Sequence, residues 1–128
     1  MTRQPKHPHR STWAKTFRFA FEGFAFALRT QRSMKVHVTV AVLTIIAGAI
    51  VRLDPTGWAL ILTLIGLVFA AELLNTAIEA IVDLVSPETH PLAKAAKDVA
   101  AALVLVLALT AVAVGLFVFI PATLHLIG

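Results

Sequence analysis

The sequence predicts an all-α integral membrane fold, with one amphipathic helix lying in the membrane interface ahead of three transmembrane helices. Three observations lead there. Hydrophobic residues make up 59% of the 128 positions and charged residues only 14%, where a soluble domain carries about 25% charged. A chain this small cannot hide so much apolar surface within itself. Three apolar stretches are each long enough to cross a hydrocarbon core. The formal charge of +4 is also unevenly placed. Eight of the eleven Lys and Arg residues, from Arg3 to Lys35, precede the first of those stretches.

The chain reads as one membrane domain over 1–128. Residues 1–11 combine Pro5, Pro8, His7 and His9 with basic residues and read as a disordered, solvated tail. Over 13–29, Phe17, Phe21, Phe24 and Leu28 recur at helical spacing, with Phe19 and Phe26 widening the apolar face and Lys15, Arg18 and Glu22 interleaved. Aromatic rings beside basic side chains suit a helix in the headgroup region. The first span, about 36–53, holds 18 residues, roughly 27 Å of helix. Asp54-Pro55-Thr56-Gly57 then reads as a tight turn. The second span, about 57–85, opens near Trp58 as an interfacial anchor and stops at Ser86-Pro87. The third, about 92–120, follows His90-Pro91 and stops before Pro121.

Charge sets the expected orientation. Arg52 alone occupies the first loop, Lys94 and Lys97 follow the second span, and no Lys or Arg follows the third. The positive-inside rule then puts the N-terminus and second loop in the cytoplasm, and the first loop and C-terminus outside. The same rule explains the basic N-terminus better than a nucleic-acid arm does, so no nucleic acid is expected as a partner. The apolar sequence also begins too late for a secretory signal. Cysteine is absent, which excludes disulfides, thiolate metal sites and a thiol nucleophile.

Polar residues at membrane depth cost a few kcal/mol and normally face a protein interior or polar cavity. On the second span Glu72, Asn75, Glu79 and Asp83 fall at about 0°, 300°, 340° and 20° around a helix, one narrow stripe. Three carboxylates and an amide on one face offer the oxygen donors that Mg²⁺ prefers. Across the second loop stand His90, Lys94, Lys97 and Asp98, the last three sharing a helix face. From spacing alone, such an array is either a salt-bridge network between helices or a phosphate-transfer site. Neither a Walker-type phosphate loop nor a Rossmann glycine pattern is present.

The run Glu72-Leu-Leu-Asn75-Thr76-Ala77-Ile78-Glu79-Ala-Ile-Val82-Asp83, followed by His90-Pro-Leu-Ala-Lys94-Ala-Ala-Lys97-Asp98, resembles the prokaryotic diacylglycerol kinase and undecaprenol kinase family from about Phe17 to Pro121. The resemblance implies a homotrimer in a bacterial plasma membrane. Its active sites would lie at subunit boundaries near the cytoplasmic face, transferring phosphate from ATP to a lipid alcohol with Mg²⁺. It implies Glu72 as general base, Asn75 as an orienting amide and Glu79 as Mg²⁺ ligand. Nucleotide contacts are implied at Gln31, Glu79, Glu88, Thr89, His90, Lys97 and Asp98, with Asp83 and Lys94 in support. One departure stands out. Where the family reads E-x-N-x-x-x-H, this chain has Gln31, Ser33 and His37, so the position implied as a second metal ligand carries no charge. The stretch around His90 is closer to the undecaprenol branch. Diacylglycerol is the alternative substrate, and a non-catalytic membrane scaffold the alternative of another class.

Overall fold

A computed structural model describes residues 12–128; the expected basic tail over 1–11 lies outside the described residues. The described residues form α1 (Trp13–Thr30), α2 (Arg32–Ile50), α3 (Pro55–Val85) and α4 (Pro91–Ile127). The last three are long and apolar enough to cross a membrane. The 19 residues of α2 reach roughly 28 Å, about one hydrocarbon thickness. With 31 and 37 residues, α3 and α4 reach roughly 46 and 55 Å and extend beyond that slab.

Each junction is set by local chemistry. Gln31 alone separates α1 from α2, in extended backbone with its N–H donating to the Ala27 carbonyl at 2.8 Å. α2 therefore starts before the expected residue 36, because its first turn takes in the charged Arg32 and Lys35 ahead of the apolar run. The expected turn at Asp54–Gly57 proves to be a helix start. The Asp54 carboxylate accepts the Gly57 N–H at 2.9 Å, and Pro55 occupies the first helical position, where no donor is lost. The chain reverses one step earlier, at Arg52, whose φ of 55° lies in the left-handed region. Gly57 is required by close approach: a Cβ there would sit 2.9 Å from the capping oxygen and 3.3 Å from Val118 of α4.

At the other end of α3, Ser86 closes the helix, and the His90 Nδ1 accepts the Leu92 N–H at 3.1 Å to cap α4. α4 runs through Pro121 to Ile127 rather than stopping at residue 120. A proline removes one helix hydrogen bond but does not force an end where the flanking turns persist.

α3 is the central element, packing most extensively on α4 and less on α2 and α1. Its contacts use small or slender residues, with Ala41, Ile61, Val68, Ala71 and Ala100 buried, as close helix approach in lipid favours. α1 docks on α3 through an edge-to-face contact of Phe24 with Phe69, centroids 5.9 Å apart. Outside these seams the surface is apolar: Leu105, Leu109, Val112 and Phe117 of α4 are all more than half exposed. A soluble monomer does not sustain such a patch.

Candidate active site

The polar residues of α3 gather at one end of the bundle. Because α2 spans about one hydrocarbon thickness, the α3 residues level with its N-terminus lie at a membrane face. Those are the residues of the stripe, and each meets a different partner. From Glu72 to Asp83 the stripe climbs roughly 16 Å along the helix.

Glu72 is deepest, 1% exposed. Ser33 Oγ donates to its Oε2 at 3.0 Å, and His37 Nε2 lies 3.2 Å from its Oε1. A buried carboxylate needs such donors, since without them the charge is costly. Ser33 and His37 entered the sequence reading only as positions of the motif that holds Gln31, without a role in the site. Their signal was their spacing, two polar residues four apart on one face in the first turns of α2. His37 also lines an apolar cavity of about 340 Å³ between α2, α3 and α4.

One to two turns further along, Asn75 Nδ2 donates to Glu79 Oε1 at 3.2 Å and Gln31 Nε2 donates to Glu79 Oε2 at 3.0 Å. Gln31 thus reaches α3 and offers Glu79 an N–H rather than its carbonyl oxygen. The Asn75 Oδ1 is buried and has no hydrogen-bond partner, an exception among buried polar groups. Rotating the amide would turn that oxygen toward the carboxylate, which two oxygens tolerate only with a cation between them.

Asp83, furthest along, accepts from Lys97 Nζ across the α3–α4 junction. These two join Glu88, Thr89, His90 and Lys94 around a second cleft of about 240 Å³. Asp98 does not line it; it accepts from Lys94 within α4. Lys97 and Asp98 are therefore not paired with each other. Both pairs are solvent-exposed, where ion pairs contribute little and exchange readily for other partners.

The stripe is consequently not a single cage. Among the described residues no three of His, Cys, Asp and Glu come together as a metal group, because Glu72 turns to α2 and Asp83 to α4. What remains at the middle is one carboxylate with two amides. Mg²⁺ is held by one or two carboxylates plus phosphate oxygens and water, so Glu79, the orphaned Asn75 oxygen and the Gln31 amide fit it as a partial shell that a phosphate would complete.

Comparison with known proteins identifies the family. The signature of prokaryotic diacylglycerol kinase matches residues 18–119. The undecaprenol kinase of Bacillus subtilis (strain 168) is 45% identical over 107 residues, 84% of this chain and 87% of that protein. A diacylglycerol kinase of Synechocystis sp. is 41% identical over 112 residues, 87% of this chain and 64% of that protein. The diacylglycerol kinase of Pseudomonas aeruginosa is 38% identical over 84 residues, 66% of this chain and 68% of that protein. With the match running from α1 almost to the end of α4 and taking in every polar residue of the α3 stripe, the chain belongs to the prokaryotic diacylglycerol kinase family.

Proposed function

We propose that this chain is an ATP-dependent kinase of a membrane lipid alcohol, with undecaprenol as its substrate and undecaprenyl phosphate as its product. The observation that carries this reading is the graded stripe on α3. It runs from a carboxylate buried against α2, Glu72, to a polar cleft bearing lysines, Asp83 with Lys94 and Lys97. A lipid hydroxyl reaches the first from the bilayer and a nucleotide reaches the second from water.

In this scheme the cleft residues Glu88, Thr89 and His90 contact the nucleotide, and Lys97 leaves Asp83 to meet phosphate oxygens. Glu79, Asn75 and Gln31 would hold Mg²⁺, which would supply neutralisation of charge on the transferring phosphate. Glu72 accepts the proton of the lipid alcohol as its oxygen attacks the γ-phosphorus in line and ADP departs. The base and the metal-holding residues are thereby carried on adjoining turns of α3 while the loop and α4 hold the nucleotide, and positioning accounts for much of the catalysis in phosphoryl transfer.

Undecaprenol is preferred over diacylglycerol because the relative at 45% identity is an undecaprenol kinase. The pocket itself supplies no such preference, since an apolar wall discriminates weakly among long chains. A homotrimer is supported by the apolar surface of α4. The exposed rings of Trp13, Phe17 and Phe21 support α1 as an amphipathic helix in the cytoplasmic interface, with the N-terminus inside and the C-terminus outside a bacterial plasma membrane.

The test is a reconstituted assay with radiolabelled ATP and Mg²⁺, offering undecaprenol, diacylglycerol and ceramide in parallel. Label in lipid extract, fastest with undecaprenol, is the expected result. Faster labelling of diacylglycerol reassigns the substrate, and no labelled lipid at all sinks the kinase reading.

A further inference from the structure

Glu72 is held from one side only. Both of its oxygens are engaged by α2, one by Ser33 Oγ at 3.0 Å and the other by His37 Nε2 at 3.2 Å. The two donors stand four residues apart and so project from one face of the helix, side by side. A carboxylate only accepts hydrogen bonds, so the close approach of His37 Nε2 suits a proton on that nitrogen. A hydrogen bond on one oxygen and a close imidazole contact on the other restrict the rotational freedom that a side chain with three torsions otherwise keeps. The third polar neighbour, Thr76, spends its hydroxyl on the Glu72 backbone carbonyl and leaves the carboxylate alone. Nor does Glu72 itself line the apolar cavity; His37 does, with Val40 and Phe69 beside it.

We infer that Ser33 and His37 are positioning residues, a two-point clamp from α2 that fixes the orientation of the Glu72 carboxylate for the proton transfer assigned to it above. The inference rests on that reading of Glu72. It goes further in giving the α2 pair a role in turnover without contact to ATP, phosphate or metal. The clamp also explains why a serine serves at position 33: a hydroxyl reaching 3.0 Å supplies the one N–H or O–H that the second oxygen needs.

The experiment compares Ser33→Ala, His37→Leu and His37→Gln with the parent protein in the reconstituted lipid-kinase assay. The Gln side-chain amide can place an N–H near the position of imidazole Nε2, whereas Leu cannot. A misplaced catalytic group costs up to about 100-fold. His37→Leu is expected to lower kcat by that order and Ser33→Ala by roughly tenfold, with KM for ATP unchanged, while His37→Gln recovers most of the loss. Helix content and thermal midpoint in detergent identify any variant that fails to fold, and His37→Gln and Ser33→Ala then carry the test. Retained kcat in Ser33→Ala and His37→Leu overturns the clamp, as does equal loss in His37→Leu and His37→Gln. A second measurement separates this failure from failure of the kinase reading. The Glu72 carboxylate stretching band, recognised by its disappearance in Glu72→Gln, should shift in Ser33→Ala and His37→Leu whether or not lipid is phosphorylated. An unmoved band removes the clamp.

Discussion

Gln31 and Glu79 place an amide where a second carboxylate would otherwise face the first at 3.0 Å. Without a cation two carboxylates at that distance repel; with Mg²⁺ between them they bind it more tightly than a carboxylate–amide pair. Gln31→Glu should therefore lower the Mg²⁺ concentration for half-maximal activity several-fold, read by titrating Mg²⁺ at saturating ATP. An unchanged requirement removes Gln31 from the metal site. At the other end of the stripe, Lys97 exchanges an exposed carboxylate for phosphate. Lys97→Met should raise KM for ATP by about tenfold, the loss of one charge-assisted contact. Asp83→Asn should change it by less than about threefold, since the Asp83 pair is exposed and weak. A larger effect of Asp83→Asn than of Lys97→Met would contradict that exchange.

At the level of the helices, α3 carries the site because it is fixed at its far end. Asp54 caps it and Gly57 lets it approach α4. Asp54→Ala should cost about 1 kcal/mol through the lost cap. Gly57→Ala should destabilise as well, because its Cβ displaces the capping oxygen. Both are expected to lower the unfolding midpoint in detergent while leaving KM for ATP alone. The apolar spans were legible in the sequence because lipid demands long uninterrupted helices. Their ends were less so. Asp54-Pro55-Thr56-Gly57 has the composition of a turn and of a capped helix start alike, and only the preceding left-handed Arg52 decides between them. Pro121 reads as a stop, yet the turns on either side keep α4 helical beyond it. The α3 stripe was legible from its period alone. The partition of that stripe among Ser33–His37, Gln31 and Lys97 was not, because it depends on which neighbouring helix each side chain meets.

For the whole molecule, α4 packs on α3 along one side, yet no residue of its most apolar 18-residue stretch is buried within the single chain. Lipid covers part of such a surface, and the proposed trimer would cover more. Orientation is open to direct measurement, since the chain has no cysteine. In intact cells a membrane-impermeant thiol reagent should label Arg52→Cys and not Thr89→Cys; the reverse pattern would invert the topology and put the second cleft on the wrong side for ATP. Lipid phosphorylation itself is tested most directly by transfer of label from radiolabelled ATP into undecaprenol, in bilayers containing the parent protein, Glu72→Gln or Glu79→Gln. The parent should form labelled lipid phosphate, and each variant should lose activity by about 100-fold or more while keeping its helix content. Undiminished labelling by either variant would contradict a transfer site built on the α3 stripe.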